Sequence, residues 1–425
     1  MDIQELHSLY LSSSGVSIDT RKINNNEIFF AIKGVNFNGN AYALEAIKKG
    51  AKFSIVDDPK LKDANKQFIY VKDSLRSLQD LSKIHRSSFD TKVIGITGSN
   101  GKTTTKNLVY SILSENYKVI KTKGNLNNHI GVPLSLLEIK EDTELAVIEM
   151  GANHIGEIKE LCEIAMPDIG FITNYGLAHL EGFGGYEGVI KGKSEIFRYL
   201  TENYGQIILN NDDQIQVNNC KGDLSITYGE NKDSDYVFEY IKTDNLLKLK
   251  YDGFEFKSNL FGEYNFQNLA VSITIGKLLE ISNKDIQNGL DKFTNDSLRS
   301  EVINFNDNKI IMDAYNANPT SMLASISSFE SKMEKNKILI IGDMYELGKF
   351  SKNEHQKIVD YLENKDYHKV FLVGKHFSEC NTKANYFSKY LNTDELSSSV
   401  AIKDFKNMNI LVKGSRSVSL ESLFN

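Results

Sequence analysis

The chain has 425 residues, 40% of them hydrophobic and 25% charged, with a net charge of -6. That length predicts roughly two to four domains, and the composition predicts a globular protein with ample core. Charges of both signs are mixed along the chain, which excludes the basic face of a non-specific nucleic-acid binder, and no apolar run nears the ~20 residues of a membrane span.

Cys162, Cys220 and Cys380 are far apart and odd in number, which fits a reducing compartment and gives no zinc spacing. The opening MDIQELHSLYL lacks the basic and apolar regions of a signal peptide. A cytoplasmic protein is expected, with no nucleic-acid partner and no membrane span.

In chain order, Glu27 to Ile32 and Lys52 to Val56 read as strands, and Ala41 to Lys49 as a helix ended by Gly50. Asp73 caps a further helix in which Leu75, Leu78, Leu81 and Ile84 repeat every three residues. These make a small α/β unit, assigned to residues 1–89. A second block, 90–297, has apolar runs at Lys92–Thr97, Leu145–Met150, Asp168–Thr173 and Gln206–Leu209 with helical patterns between the first few. That alternation predicts a parallel, doubly wound sheet. From Leu224 to Ser258 short strands broken by Asn, Asp and Gly predict an antiparallel meander, followed by a helix over Phe266 to Leu279. The third block, 298–425, opens with a hairpin around Asn306-Asp307-Asn308 and continues with strands at Ile338–Ile341, Val370–Val373 and Ile410–Val412, a second doubly wound unit.

The segment Gly95 to Lys106 reads GITGSNGKTTTK and carries the most chemistry. It follows the apolar pair Val93-Ile94 and opens onto a helical pattern, Asn107 to Leu113. Gly98, Ser99, Asn100 and Gly101 can turn backbone N–H groups around a polyphosphate at a helix N-terminus. Lys102 can reach the outer phosphates, and the hydroxyl of Thr103 or Thr104 can ligate Mg²⁺. The spacing is a variant, because the position five before Gly101 is Ile96. ATP or GTP binding is expected; a glycine-rich β–α turn is the bland alternative.

Other polar residues sit at strand ends, where nucleotide sites on α/β sheets lie. Glu149, at the tip of an apolar run, suits Mg²⁺ with its hard oxygens, or else serves as a loop carboxylate. His179 follows the run ending at Thr173, and alone is as easily structural. Lys193, in KGKSEIF, reads by itself as an ordinary surface lysine.

Taken together, GSNGKTTT, EMGANHIGEI, ITNYGLAHLEGFG and KGKSEIF, in this order, resemble the Mur ligase family, which builds the peptidoglycan stem peptide at one ATP per amide bond. The resemblance spans essentially the whole chain. SIDTR and FFAIKG near the N-terminus resemble the UDP-binding domain of the later-acting members. TKGNLNNHIGVPLSLL, DAYNANPTSM, GDMYELG and VKGSRSVSLE resemble the branch that joins D-alanyl-D-alanine to UDP-N-acetylmuramoyl-tripeptide.

The resemblance implies three α/β domains: an N-terminal UDP-substrate domain, a central P-loop ATPase domain with an antiparallel extension, and a C-terminal Rossmann-like acceptor domain. It implies ATP and two Mg²⁺ ions, with Lys102 on the β- and γ-phosphates. Thr103, Glu149, His179 and a carbamylated Lys193 would serve the metal sites. Asn268 is implied at the adenine, Arg299 at the phosphates and Asp313 near the ribose. Thr20, Arg21, Asn127, Asn128, Asn316 and Asn318 are implied on the substrates. No obligate partner chain is implied, and a monomer is expected. Tyr264 stands where the family commonly has His, and Asn38-Gly39-Asn40 replaces its Asp-Gly-His pattern. The rival readings are the ligase adding the third residue, a folylpolyglutamate-type ligase, and a P-loop switch that hydrolyses nucleotide. No base for the incoming amine is evident.

Overall fold

In the computed structural model, residues 2–222, 224–243, 246–294, 298–333 and 335–424 are described. Backbone contacts divide the chain into two compact units, one of residues 1–95, 117–151 and 157–169, the other of 96–116, 152–156 and 170–425. The boundary expected at 297 lies outside the described residues.

The first unit contains a small parallel sheet of β1 (Val16–Ser17), β2 (Ile28–Phe30), β5 (Phe53–Val56) and β6 (Phe68–Tyr70), in that order. A two-stranded hairpin, β3 (Lys33–Gly34) and β4 (Phe37–Asn38), projects after β2. The sheet is buried on both faces. Ile28, Phe30 and Ile55 pack with Leu6, Leu78 and Leu81, while Phe29 and Val56 pack with Ala43 and Ala46 of the helix Ala43–Lys48. That two-sided burial explains the unbroken apolar runs. Leu78 and Leu81 belong to the helix Ser74–Ser87, whose N-cap is Asp73, as its pattern predicts. The unit also holds β7 (Lys92–Thr97) up to its last residues, with β8 (Val119–Lys121) and β9 (Leu145–Glu149) in the strand order β7-β9-β8.

The second unit continues with β10 (Ile169–Ile172), β11 (Gln206–Asn210), β12 (Ser225–Gly229) and β13 (Tyr236–Val237), neighbours in that order. Here the predicted meander needs correction. β12 pairs in parallel with β11, and β13 in parallel with β12, so both extend the parallel sheet. Only β14 (Glu239–Ile241), β15 (Lys248–Tyr251) and β16 (Phe254–Lys257) form an antiparallel three-stranded sheet. The reason is burial: Tyr228 in β12 is 1% exposed, a core position that an edge meander would not supply.

The C-terminal part of this unit is a six-stranded sheet with β17 (Glu301–Phe305), β18 (Asn308–Asp313), β19 (Lys337–Gly342), β20 (Lys369–Val373), β21 (Phe387–Tyr390) and β22 (Asn409–Lys413), in the order β17-β18-β22-β19-β20-β21. The predicted hairpin is present: β17 and β18 are antiparallel, and Asn306 and Asp307 both take positive φ, as a tight two-residue turn requires. The other pairings are parallel, which places the loops after β18, β19, β20 and β22 at one end of the sheet. Among the described residues no helix is long and apolar enough to cross a membrane.

Candidate active site

The phosphate-loop candidate leaves the end of β7. The helix that follows spans Lys102–Leu113, so it begins five residues earlier than the pattern from Asn107 suggests, with Gly101 as its N-cap at φ 82°. Thr103, Thr104, Thr105 and Lys106 are all buried in its first turns although, being polar, they carry no apolar signal. Gly98 has φ 138°, and a Cβ there would stand 2.0 Å from Thr173 Oγ1. A Cβ on Gly101 would meet Asn268 Oδ1 at 2.5 Å. Both glycines are therefore required by backbone angle and by space.

The loop is held from behind by the segment after β10. Asn100 N donates to Asn174 Oδ1 at 3.1 Å, and Asn100 O accepts from Thr173 Oγ1 at 2.6 Å and Asn174 Nδ2 at 3.0 Å. Ser99 Oγ donates to Gly176 O at 2.9 Å. Lys102 Nζ donates to the carbonyls of Gly98 at 2.5 Å and Ser99 at 3.2 Å, which keeps its ammonium over the loop. Sequence reasoning missed Thr173 and Asn174 as supports. The available signal was a polar Thr-Asn pair directly after a buried strand.

The same loop meets the DAYNANP segment. Asn318 Nδ2 donates to Asn100 Oδ1 at 2.6 Å. The amide oxygen of the same side chain, Asn318 Oδ1, accepts from Ser321 N at 3.0 Å and caps the helix Pro319–Lys332. Leu177 N donates to Thr320 Oγ1 at 2.9 Å. Asn316 instead folds onto its own backbone, accepting from Ala317 N. Asp313, at the end of β18, receives Lys413 Nζ at 2.6 Å and Ser325 Oγ at 3.2 Å. The Arg299 guanidinium lies 3.7 Å from the centre of the Tyr315 ring. Asn268 is buried against Gly101 and donates to Asn265 Oδ1 at 2.9 Å. Tyr264 OH shares a 2.6 Å hydrogen bond with Ser300 Oγ, and burial pushes its pKa well up.

Lys193 ends the helix Tyr186–Lys193 and is 1% exposed, which corrects its reading as a surface lysine. Its Nζ donates to Ala152 O at 3.0 Å and lies 5.1 Å from the Phe183 ring centre. Beside it, buried Glu195 accepts from Gly156 N at 2.7 Å, and Ser194 Oγ is 2.6 Å from Tyr175 OH. His179, at φ 53°, contacts Glu346 through Nδ1. The imidazole beside it holds the Glu346 carboxyl below its ordinary pKa.

In the first unit, buried Glu149 closes β9. Its Oε1 accepts from Asn127 Nδ2 at 2.8 Å, its N donates to Thr122 Oγ1 at 3.0 Å, and Asn127 O accepts from Gly151 N. Asn128 accepts from Ile130 N and Gly131 N and so opens the helix Gly131–Leu136. Thr20 is buried, whereas the exposed Arg21 pairs with Asp19 at 2.8 Å and, as hydrogen-bond donor, lowers the Asp19 carboxyl to about 2. Asn40, in the altered Asn-Gly-Asn pattern, donates to Asp57 Oδ1 at 2.7 Å and ties the hairpin to the end of β5.

Among the described residues no group of three or more His, Cys, Asp or Glu side chains is arranged to hold a metal ion. Mg²⁺ needs fewer: it keeps several waters and takes one or two carboxylates plus phosphate oxygens. The buried hydroxyl of Thr103 and the buried carboxylate of Glu149 are hard oxygen donors of that kind.

Three family models match the chain: the Mur ligase middle domain over residues 96–276, the Mur ligase glutamate ligase domain over 298–416, and the Mur ligase family catalytic domain over 12–86. The chain is 34% identical to the UDP-N-acetylmuramoyl-tripeptide–D-alanyl-D-alanine ligase of Bacillus subtilis, with 96% of this chain and 92% of that protein covered. Among solved structures it is similar to MurF from Acinetobacter baumannii, with a TM-score of 0.90, 29% identity, and 99% and 97% of the two chains covered. It is also similar to MurF ligase from Thermotoga maritima in complex with ADP, with a TM-score of 0.84, 26% identity, and 97% and 96% covered.

Proposed function

The chain belongs to the Mur ligase family, and we infer that it is the ATP-dependent ligase that joins D-alanyl-D-alanine to UDP-N-acetylmuramoyl-tripeptide in peptidoglycan precursor synthesis. The observation that carries this reading is the contact of Asn318 with Asn100. It sets the Asn-Ala-Asn-Pro segment, typical of this branch, directly against the phosphate-binding loop.

The chemistry follows from the poor reactivity of a carboxylate toward an amine. The tripeptide carboxylate attacks the γ-phosphorus of ATP; the bond to the β-phosphate oxygen breaks, giving an acyl phosphate and ADP. The dipeptide amine then adds to the acyl carbon. The tetrahedral adduct expels phosphate, and the amine gives up its proton. The loop N–H groups between Gly98 and Thr103 grip the phosphates, and Lys102 turns from its loop carbonyls to the transferred oxygens. Charge on the phosphoryl group is thereby met by fixed donors, which is where catalysis of this type gains most. Bound Mg²⁺ would supply further neutralisation of the phosphoryl oxygens.

Thr103, Glu149 and His179 are the residues proposed to hold Mg²⁺ ions, two in number. Lys193 joins them as a carbamate: its neutral amine takes up CO₂ and releases a proton, turning a cation into an anionic oxygen donor. Its near-complete burial supports this, because burial favours the neutral amine. Asn268 is proposed at the adenine, Arg299 at the phosphates and Asp313 at the ribose. Thr20, Arg21, Asn127 and Asn128 are assigned to the UDP-tripeptide, and Asn316 and Asn318 to the acceptor side. The three stretches 1–89, 90–297 and 298–425 are proposed as UDP-substrate, ATP and acceptor domains, supported by the three matched family segments.

The test is product analysis. With ATP, Mg²⁺, D-alanyl-D-alanine and the UDP-tripeptide ending in either meso-diaminopimelate or L-lysine, mass spectrometry should detect the UDP-pentapeptide from one of them. ADP formation with neither pentapeptide would overturn the assignment and favour a nucleotide-hydrolysing switch.

A further inference from the structure

The loop Asp343 to Gly348, from the GDMYELG segment, is pinned at nearly every residue. Asp343 is fully buried and accepts from His376 N at 3.0 Å and Phe377 N at 2.9 Å. Met344 N donates to His355 Nε2 at 3.0 Å, and Tyr345 N to Ser415 Oγ at 3.2 Å. Met344 and Leu347 are buried. Between Tyr345 and Leu347, Glu346 sets its carboxylate against His179 Nδ1. The backbones meet as well: Glu181 N donates to Glu346 O at 3.2 Å. A Cβ on Gly348 would stand 3.0 Å from the Glu181 side chain.

Both partners hold a backbone that non-glycine residues avoid. His179 has φ 53° and Glu346 has φ 62°. Two such residues clasped together cost free energy that the surrounding contacts must offset, and costs of this kind gather at functional sites. The pairing also has a chemical consequence. An imidazole whose Nδ1–H faces a carboxylate is locked in one tautomer and one ring orientation, with the Nε2 lone pair directed elsewhere.

We propose that Glu346 is the positioning residue for His179: it fixes the proton on Nδ1 and leaves Nε2 bare to meet the metal–phosphate group. This rests on the metal-site reading of His179 given above. It adds that a carboxylate carried by the C-terminal sheet sets up a ligand carried by the loop after β10, so the acceptor and phosphate parts of the site are built in register.

The test uses the full-length enzyme labelled with ¹⁵N in its histidine rings, with His179 assigned by its loss in His179→Gln. At pH 8 the wild type should show His179 protonated on Nδ1 and unprotonated on Nε2. Glu346→Ala should shift this pattern toward Nε2–H, and lower kcat about 10- to 100-fold, as losses of outer-shell partners do, with KM for the UDP-tripeptide unchanged. Glu346→Gln, whose amide oxygen still accepts from Nδ1–H, should keep the wild-type tautomer and recover most of the rate. An Nε2-protonated His179 in the wild type, or a tautomer unmoved in Glu346→Ala, overturns the proposal. Wild-type rate and Mg²⁺ dependence in His179→Gln would instead defeat the metal-site reading, and the tautomer measurement would register the pairing independently.

Discussion

Gly101 and Asn268 stand so close that a Cβ on the glycine would lie 2.5 Å from the asparagine oxygen. The proposed phosphate loop is thus closed on one side by a buried amide from the helix Phe266–Leu278. The backbone at Gly101, φ 82°, is left-handed as well. Gly101→Ala meets both obstacles, and the left-handed penalty alone is about 1–2 kcal/mol for an L-residue. ADP binding measured by titration calorimetry should weaken by about tenfold or more. Wild-type affinity would show that the loop geometry is not what holds the nucleotide.

Removing the proposed carbamate should stop the reaction. Lys193→Ala is expected to lose about 10²–10³ in rate, the scale of a lost electrostatic contact to a transition state. Added short carboxylates such as acetate should restore part of it, since they bring back the anionic oxygens. An alanine variant with full activity would refute the role. Intact-mass measurement of the wild type in bicarbonate, showing the added CO₂, checks the modification directly.

Asn318 does two things with one side chain, and they can be separated. Asn318→Ala should cost about 1 kcal/mol of stability, because it removes the N-cap of the helix Pro319–Lys332, and should also slow turnover. Asn318→Ser keeps a capping oxygen but is too short to reach Asn100. It should regain the stability in thermal melts while remaining slow. A serine variant as fast as wild type would contradict the coupling of Asn318 to the phosphate loop.

The first unit should lose stability in mild acid. His7 Nε2 and His85 Nδ1 are 3.2 Å apart and buried, and His85 Nε2 is 2.8 Å from Ile139 O. Burial lowers the pKa of both from 6.5. Folded, they bind fewer protons than unfolded, so stability is complete above about pH 6.5 and declines as pH falls below it. Urea unfolding between pH 7 and pH 5 should show that decline, and His85→Gln should flatten it. Equal slopes in the two proteins would contradict the assignment.

The glycine turn into the helix Lys102–Leu113, the buried strands and the 306–308 turn were readable in the sequence because each depends on local chemistry: glycines before Lys-Thr, runs of Ile, Val and Leu, and Asn-Asp at positive φ. It did not show that β12 and β13 continue the parallel sheet, since Ser225–Gly229 has no apolar run and owes its place to the burial of Tyr228. Lys193 read as a surface residue because lysine seldom signals burial. The supports of the site were least visible. Asn174 under Asn100, Asn318 across from it and Glu346 against His179 are contacts between residues far apart in the chain, and no local pattern records them.

The central claim is that the γ-phosphate goes to the tripeptide carboxylate and not to water. The direct measurement uses UDP-tripeptide labelled with ¹⁸O in the terminal carboxylate, with ATP and D-alanyl-D-alanine in unlabelled water, and reads the mass of the phosphate released. Transfer through an acyl phosphate predicts one ¹⁸O in every phosphate formed; unlabelled phosphate would mean that water was the acceptor, and the ligase account would fall.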